Sequence, residues 1–348
     1  MFATNLRENS NGKRKHLRLL TILLLTAVTV FFTMGETALA KKRKKRRNEF
    51  CTQTAQAAYK ACLNEIADDY NIAVGNCINV SDDDEREDCF NDAKKGEDGY
   101  WAAREECKDQ YEARREVCED LGEGRYDPQL DLENFNSPLP NPYFPLDPGT
   151  FWYYESETDE GTETDSVAVT NDTIKIEYPE DSGQFFTCIV VSDKVKLGGE
   201  LIEDTDDYYA VDNDGNVWYF GETARNYENG RLANLEGSWI AGVDGAKPGI
   251  LMQADPDPEN EDQNPYRQEF ALGDAEDLAE VVSRHEAVVD VPFGSWDEGD
   301  DVVETRDFSP LEPDVEEFKY YVPNIGLVLE VNFETGERVE LFRKGTLP

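Results

Sequence analysis

The chain has 348 residues, of which 39% are hydrophobic, and it includes 17 Phe and 16 Tyr. That supply of apolar side chains can fill a core, which argues against wholesale disorder. With 75 acidic residues against 34 Lys and Arg, the formal net charge is −41. Such a chain repels nucleic acid and anionic membranes, so we expect no nucleic-acid partner.

Residues 1–40 have the pattern of a signal peptide. Basic residues lead into an apolar run from Leu19 to Met34, and the small residues Ala38 and Ala40 suit cleavage after Ala40. The apolar run is shorter than the roughly 20 residues that span a bilayer, so we expect no stable membrane insertion after signal cleavage.

A basic arm, residues 41–50, follows the predicted cleavage site. Its consecutive Lys and Arg residues at 41–47 oppose translocation by their positive charge. The cysteine pattern favours export despite that charge, because a reducing cytosol would leave disulfides unformed. We interpret the arm as a solvated tail, with attachment to an anionic envelope polymer or lipid headgroup, or a processing site, as alternatives.

Six cysteines in the segment 51–122 are spaced as in two chain segments that run antiparallel. Pairing the outermost, middle and innermost cysteines gives residue-number sums of 169, 169 and 166. A nearly constant sum arises when each step forward on one arm meets a step backward on the other. The predicted disulfides are therefore Cys51 with Cys118, Cys62 with Cys107, and Cys77 with Cys89.

Both arms of this segment have helical periodicity. Small residues and cysteines recur every three or four positions along 51–77 and again along 89–118, which puts the cysteines of each arm on one narrow stripe. Ser81, followed by Asp84, is the predicted cap of the second helix. Close CxxC pairs are missing from the sequence, so a zinc or iron–sulfur site is not expected.

Prolines mark a boundary after the predicted hairpin. Six of them fall between residues 126 and 149, too many for a helix or a central strand, so 123–149 is predicted to be a Pro-rich linker. Residues 150–348 then alternate short runs of Val, Ile, Tyr, Phe and Trp with turn residues, which is typical of an antiparallel β domain.

The predicted strands of the β domain are 151–157, 166–170, 173–178, 185–195, 200–211, 216–221, 266–270, 280–285, 287–291, 302–308, 316–321, 327–333 and 338–342. Residues 275–284 are ambiguous between helix and strand. The fold class is predicted to be α+β: a disulfide-stapled antiparallel helical hairpin followed by a large curved antiparallel β-sheet, a partly open barrel or a sandwich.

Several stretches of the mature chain resemble a group of exported bacterial proteins whose function is not assigned. They are Gly124–Pro128, Asn141–Leu146, Glu200–Tyr209, Asp214–Gly221, Gly237–Trp239 and Gly242–Gly245. The resemblance covers most of the mature chain, and it implies a cysteine-paired helical N-terminal segment with an antiparallel β C-terminal domain. It carries no catalytic residue over to this sequence.

Catalytic motifs are missing from the sequence. His285 is the one histidine after residue 40, and its neighbours Arg284 and Glu286 favour a surface ion-pair row over a general base. A nucleophile elbow and a glycine-rich phosphate loop are both lacking. We therefore expect no cofactor, and no catalytic or cofactor-binding residue is assigned.

Acidic residues crowd the region from Asp204 to Asp214, where oxygen ligands for calcium could gather. The EF-hand register fails, because placing Gly215 at its glycine position puts Ala210 first and Gly221 last. Solvent-facing carboxylates on a strand that closes through an Asp-Gly turn are the simpler interpretation. Whether a metal binds is left open, with 255–262 as a further acidic stretch.

Cys188 and one long loop complete the candidates. Cys188 lies in the most apolar strand and is expected to be buried, with intermolecular pairing as the alternative. The loop 237–265 is the longest irregular stretch of the β domain, and its residues Trp239, Asp244 and Lys247 form a candidate binding surface. A capping or disordered loop is the alternative.

The favoured hypothesis is a secreted or periplasmic, non-enzymatic binding or structural protein of the cell envelope. Its candidate partners are an envelope component, a polysaccharide or another protein, and the sequence does not specify the ligand. Two alternatives remain open: a carboxylate-based polysaccharide hydrolase, and a lipid carrier whose curved sheet holds an acyl chain.

Overall fold

A computed structural model of the chain describes residues 49–96, 99–260 and 263–347. The predicted signal peptide at 1–40 and all but the last residues of the basic arm at 41–50 lie outside the described residues. Within the described ranges the chain folds as predicted into an α+β structure, a stapled helical segment followed by a large antiparallel sheet that nearly closes into a barrel.

Three α-helices build the N-terminal segment: α1 (Phe50–Ile78), α2 (Asp83–Lys95) and α3 (Tyr100–Asp120). Three disulfides join them in the predicted pairs, Cys51–Cys118, Cys62–Cys107 and Cys77–Cys89, with Cα–Cα distances of 5.6, 5.9 and 5.5 Å. Stacked rings fill the space between the bridges, such as Tyr59 and Tyr111 with ring centroids 5.1 Å apart. Among the described residues, no helix has both the length and the apolar character that crossing a membrane requires.

The second arm of the hairpin differs from the predicted single helix. It breaks at Gly96, whose backbone leaves the helical region at ψ 168°, and it resumes at α3 after Gly99. A Cβ on Gly96 would lie 2.7 Å from the Asp92 carbonyl oxygen, so glycine is needed for this close approach. The cap of α2 is Asp82 and not Ser81, because the Asp82 carboxylate accepts hydrogen bonds from the N–H groups of residues 84 and 85.

The strands of the β domain follow a short 3-10 helix, η1 (Leu132–Phe135). They are β1 (Thr150–Thr158), β2 (Gly161–Glu177), β3 (Phe185–Leu197), β4 (Glu200–Val211), β5 (Val217–Thr223), β6 (Asn226–Glu228), β7 (Arg231–Asn234), β8 (Trp239–Ile240), β9 (Lys247–Met252), β10 (Tyr266–Arg267), β11 (Glu269–Phe270), β12 (Leu278–Arg284), β13 (Val289–Val291), β14 (Gly294–Trp296), β15 (Val303–Ser309), β16 (Glu312–Val322), β17 (Gly326–Asn332) and β18 (Arg338–Thr346).

Several of these strands differ from the sequence prediction. β2 is one continuous strand where two were predicted, because a register shift between Val169 and Thr173 absorbs the polar residues between the two runs. The ambiguous stretch 275–284 contains β12 and no helix. The predicted loop 237–265 contains β8 and β9, whose pairing with β5 needs a partner distant in sequence.

The sheet closes on itself through one short segment. The hydrogen-bonded path runs β10-β12-β15-β16-β17-β18-β1-β2-β3-β4-β5-β9-β11. Its two ends, β10 and β11, are consecutive in the chain and are separated by Gln268 alone. Residues 266–270 therefore pair with β12 on one side and with β9 on the other, which completes the ring.

The Pro-rich linker crosses one end of the barrel. Asn141 donates to the carbonyl oxygen of Gly215 in the β4–β5 turn at 2.9 Å, and Asn324 in the β16–β17 turn donates to the carbonyl oxygen of Pro142 at 2.6 Å. These two turns lie far apart around the ring, since four strands separate β17 from β4 along the path. Tyr143, between the two contacts, is fully buried. The linker thus covers this end of the barrel.

The helical segment docks near the opposite end of the barrel. Arg114 of α3 forms a buried ion pair with Glu276 in the β11–β12 connection, and Gln110 donates to the carbonyl oxygen of Leu311 in the β15–β16 turn at 2.9 Å.

Cys188 lies in the core of the sheet with none of its surface exposed, and burial raises the pKa of its thiol.

Candidate functional site

The three residues of the predicted binding loop lie in different surroundings. Trp239 is buried and packs edge-on against Tyr219, with ring centroids 5.4 Å apart. Asp244 is exposed at a turn with φ 51°. The Nζ of Lys247 lies 2.6 Å from Oδ1 of Asp127, on the linker. The structure therefore does not gather these three side chains into one site.

Asp207 and Asp212 were expected to face solvent, and in the structure they do not. Both are buried. The Asp212 carboxylate organises the β4–β5 turn by accepting hydrogen bonds from the backbone of Asp214 and Asn216 and from Nε1 of Trp218. Both of its oxygens are thus engaged in holding the turn together. Among the described residues, no group of three or more His, Cys, Asp or Glu side chains is arranged to hold a metal ion.

His285 follows the end of β12 instead of lying within a strand. It has φ 70° and is half exposed, and its Nδ1 lies 3.2 Å from the carbonyl oxygen of Asp300. Its neighbour Arg284 pairs with Asp255 and Asp301 at 2.8 and 3.0 Å. The predicted row of ion pairs therefore exists around Arg284, at the end of the barrel that the linker covers.

The barrel interior gathers most of the buried acidic side chains. Strand alternation directs one face of each strand inward, and the inward set includes carboxylates from nearly every part of the ring. We call the following set the acidic lumen: Asp165 on β2, Asp193 on β3, Asp207 on β4, Glu222 on β5, Glu269 on β11, Asp277 before β12, Asp307 on β15, Glu317 and Lys319 on β16, and Glu330 on β17.

Mutual electrostatic effects show that these side chains converge. Burial raises the pKa of Asp165, and the negative charges of Asp193 and Glu330 raise it further. Strands β1 and β18 lie between the strands of Asp165 and Glu330. Tyr154 of β1 lies opposite Asp165 of β2 and opposite Leu341 of β18, so the registers place these side chains on one face of the sheet.

Asp165 and Asp193 form a carboxyl pair on neighbouring strands. Asp165 lies opposite Val195, so Asp193 is its diagonal neighbour on the same face. Burial raises the pKa of both carboxyls, and a hydrogen bond between them raises the pKa of Asp165 while it lowers that of Asp193. Of the two carboxyl groups, Asp165 is therefore the one that holds a proton more strongly.

Asp207 is held by a tyrosine and repelled by other acids. Tyr219 donates to Oδ1 of Asp207 at 2.6 Å, and Glu222 lies directly opposite Asp207 in the β4–β5 ladder. Burial, followed by the charge of Asp193, raises the pKa of Asp207 to about 8 despite the tyrosine hydrogen bond. This carboxyl group consequently exchanges its proton near neutral pH.

Lys319 supplies the positive charge found among these side chains in the described residues. Its Nζ lies 3.3 Å from Asp307, 3.5 Å from Glu317 and 3.5 Å from Glu330. Burial opposes the charge on Lys319, but the surrounding carboxylates, with Glu330 first, raise its pKa well above the ordinary value. One ammonium group among nine carboxyl groups leaves most of the acidic lumen uncompensated.

A β-bulge at Gln268 turns two consecutive side chains inward. The backbone N–H groups of Gln268 and Glu269 both donate to the carbonyl oxygen of Asp277, at 2.9 and 3.4 Å. Gln268 then donates to Asp307 at 3.3 Å. Glu269 is only 6% exposed, and its Oε2 has no hydrogen-bond partner in the described part of the chain. The hydroxyl of Tyr266, which is 9% exposed, is also without a partner there.

Tyrosines provide the rest of the polar lining. Tyr154, Tyr209, Tyr219, Tyr266 and Tyr321 are buried, and burial raises the pKa of each phenol, so all five are neutral at physiological pH. The rings of Tyr209 and Tyr219 stack with centroids 4.8 Å apart. The lumen therefore offers aromatic faces beside its carboxyl groups.

The comparisons with known proteins give no family. No protein-family model matches the chain, and no curated protein matches it. The crystal structure of a candidate lipoprotein from Parabacteroides distasonis aligns with 60% of this chain and 100% of its own, at 14% identity and a TM-score of 0.31. That likeness is too low to carry an argument about fold or function. The resemblance to exported bacterial proteins thus stays an interpretation of the sequence.

Proposed function

We propose that this protein is a non-enzymatic binding protein of the extracytoplasmic space whose acidic lumen holds an organic cation. The three disulfides already indicate a compartment outside a reducing cytosol. The observation that carries the proposal is Glu269, a buried carboxyl group inside the barrel whose Oε2 makes no hydrogen bond within the described residues, although the indole of Trp239 is near enough to lower its pKa against the effect of burial. A buried acceptor without a partner costs free energy, and a cationic ligand would remove that cost.

The chemistry of the lining supports an organic ammonium compound over a metal ion. The described carboxylates do not converge three or more on one point in a way that suits a metal. Cations with attached CH groups also bind the faces of tyrosine rings, which the lumen supplies through Tyr209, Tyr219 and their neighbours. Linear polyamines, cationic peptides and amino sugars share the required chemistry of several ammonium groups on an apolar or hydroxylated frame.

The charge of the lumen also predicts how binding is coupled to protons. Carboxyl groups such as Asp165, Glu222 and Glu269 have raised pKa values because burial and their acidic neighbours disfavour the ionised form. A cation would reverse that preference, so it displaces protons when it binds. Affinity for an ammonium ligand should therefore rise with pH.

The test is isothermal titration calorimetry of the disulfide-bonded protein with spermine, a linear polyamine, as the ligand. We expect saturable binding with release of protons, which is measured by repeating the titration in buffers of different ionisation enthalpy. Glu269→Gln should weaken spermine at least about tenfold, because it removes a charge-assisted contact at nearly constant volume.

Asp314→Asn is the matched control, since it removes one negative charge from an exposed position on β16. If it weakens spermine as much as Glu269→Gln does, the binding reflects the surface charge of the protein and the lumen proposal fails. Absence of spermine binding, or an unchanged affinity in Glu269→Gln, would also refute it. Asp193→Asn provides a second lumen variant should Glu269→Gln fold poorly.

A carboxylate-based polysaccharide hydrolase is the second candidate, and the Asp165–Asp193 pair favours it. One protonated and one ionised carboxyl group side by side can act as general acid and base. The measurement is product release from a panel of soluble glycans. Activity that Asp165→Asn abolishes, in a variant that still folds, would establish hydrolysis and displace the non-enzymatic proposal. The third candidate, an acyl chain inside the barrel, gains no support from so many charged lining residues.

A further inference from the structure

A pocket lies outside the barrel, between the base of the helical hairpin and the outer face of β9, β10 and β11. Its volume is about 580 Å³, which falls within the range of small-molecule sites. Apolar side chains form much of its wall, including Phe50, Leu121, Phe270 and Leu272. Leu121 and Leu272 remain 36% and 42% exposed, so the pocket leaves apolar surface in contact with water.

Arg267 lines this pocket and has one buried nitrogen without a hydrogen-bond partner among the described residues. Because Gln268 and Glu269 turn inward at the bulge, Arg267 points outward between two rings, with its guanidinium carbon 5.5 Å from the Tyr126 centroid and 4.9 Å from that of Phe270. Its Nη1 is buried and has no hydrogen-bond partner among the described residues. The two rings make cation–π contacts with the guanidinium but offer its N–H groups no hydrogen-bond acceptor.

The neighbouring carboxylate cannot serve Arg267. The Glu276 carboxylate accepts hydrogen bonds from Nε and Nη2 of Arg114 at 2.9 and 2.7 Å and from the N–H of Gly273 at 2.9 Å. Both of its oxygens are thus occupied. Burial lowers the pKa of Arg267, the negative charge of Glu276 opposes that effect, and the positive charge of Arg114 adds to it.

The pocket is locally cationic in a protein that is strongly acidic overall. Arg114, Arg125, Lys247 and Arg267 line it, against Asp127 and Glu276. Long-range repulsion from a net charge of −41 disfavours small anions that have no other affinity for the surface. An anion that also buries an apolar group would gain free energy from the leucines and phenylalanines of the wall.

We propose that this pocket binds an anionic amphiphile, a carboxylate carried on an acyl chain, with the carboxylate at Nη1 of Arg267 and the chain against Phe50, Leu121 and Leu272. The ligand supplies the acceptor that Arg267 lacks and covers the exposed leucines. This site is separate from the acidic lumen and does not depend on what the lumen binds.

The experiment measures binding of laurate to the full disulfide-bonded protein by calorimetry, beside its uncharged glycerol ester and beside acetate. We expect laurate to bind and both comparison compounds to bind at least about tenfold more weakly, since each lacks one of the two interactions. Arg267→Met keeps the apolar packing and should weaken laurate by a similar factor. Arg231→Met removes the same charge from an exposed position on β7 and should leave laurate binding unchanged.

Equal affinity for laurate in Arg267→Met and in the unmodified protein would refute the proposal, and so would equal affinity for the glycerol ester or for acetate. A readout on the unmodified protein covers the case in which Arg267→Met does not fold. Laurate labelled with ¹³C at its carboxyl should, when bound, stay ionised below the pH at which free laurate takes up its proton. Bound laurate that titrates at or above the free value would overturn the assignment to Arg267.

Discussion

The Arg114–Glu276 ion pair is the residue-scale contact that fixes the hairpin to the barrel. The two side chains are 7% and 2% exposed and share three hydrogen bonds. Their positions are 162 residues apart in the chain, and no local pattern in the sequence links them. A buried ion pair of this kind contributes little compared with a well-packed apolar pair, but removal of one partner leaves the other charge buried and unpaired.

We therefore predict that Arg114→Met lowers the free energy of unfolding by about 3 to 5 kcal/mol. The measurement is urea denaturation under oxidising conditions, followed by tryptophan fluorescence. Lys108→Met, on the same helix, removes an exposed pair with Glu105 and should lower the free energy of unfolding far less than Arg114→Met does. Restoring most of the lost stability with the double variant Arg114→Met, Glu276→Leu would confirm the cause, and an equal loss in Lys108→Met would contradict it.

At the scale of elements, the linker acts as a structural cap of the barrel. Asn141 is its anchor, since its side chain donates to the carbonyl oxygens of Gly215 and Gln253 and accepts from the N–H groups of Tyr143 and Phe144. The prolines of the linker favour an extended chain that suits such a crossing. The composition of the linker predicts the absence of helix and strand, but it does not predict that the segment packs against the barrel.

Asn141→Ala should destabilise the barrel by about 2 to 4 kcal/mol, because it leaves several buried backbone groups without partners. Asn136→Ala serves as the control, since Asn136 is an exposed linker residue at the end of η1. Thermal unfolding followed by near-ultraviolet circular dichroism would distinguish the two. Equal melting temperatures in both variants would show that the linker does not hold the end of the barrel.

The three disulfides are nested, and nesting changes how much each one contributes to the free energy of unfolding. With the middle bridge intact, the loop that Cys51–Cys118 closes contains only the residues between Cys51 and Cys62 and between Cys107 and Cys118. Its effective length is then far below the sequence separation of 67. The conformational entropy that a disulfide removes from the unfolded chain depends on this effective loop length.

Removal of any one bridge by paired Cys→Ala substitution should therefore cost a similar amount, about 3 kcal/mol. Denaturation of the Cys51/Cys118 and Cys77/Cys89 double variants, with the other two bridges verified by peptide mapping, tests this equality. A much larger loss for the outer pair than for the inner pair would argue against nested closure as the main contribution.

At the scale of the whole molecule, the acidic lumen links folding to pH. Burial raises the pKa of Asp207 to about 8, against an ordinary value of 3.8. Its folded form therefore holds a proton that the unfolded chain releases between those two pH values. A group of this kind stabilises the fold fully below its unfolded pKa, and the contribution is lost as pH rises through the folded pKa.

We predict that the free energy of unfolding falls as pH rises from about 5 to 8, by more than about 1 kcal/mol per pH unit, because several lumen carboxyls act in the same direction. Asp207→Asn should make this slope shallower by up to about 1.4 kcal/mol per unit. Urea denaturation at several pH values between about 5 and 8 measures this slope. Asp314→Asn, which changes an exposed residue, is the control. A stability that rises with pH in this window would mean that the lumen acids are paired in a way the structure does not contain.

Local patterns in the sequence predicted much of the fold and little of the candidate site. Helical periodicity and cysteine spacing are both short-range features, and they identified the hairpin and its three bridges. Alternation identified most strands, but it could not indicate which face of a strand points inward once bulges shift the register, as at Gln268. Asp207 was for this reason taken for a solvent-facing residue. Acidic and aromatic residues two positions apart on one strand, as in Asp207 and Tyr209, are the signal that could have found the lumen.

Composition and the spacing of residues within one element were enough to predict a compartment outside the reducing cytosol, the disulfide pairing and the presence of a large antiparallel sheet. The tertiary structure alone decided that residues 266–270 close the ring, that carboxylates from distant strands share one interior, and that Arg267 faces a pocket with no acceptor of its own. Such features arise where strands far apart in the chain become neighbours. The free energy of a charge depends on those neighbours, so the chemistry of both proposed sites appears only when the barrel has closed.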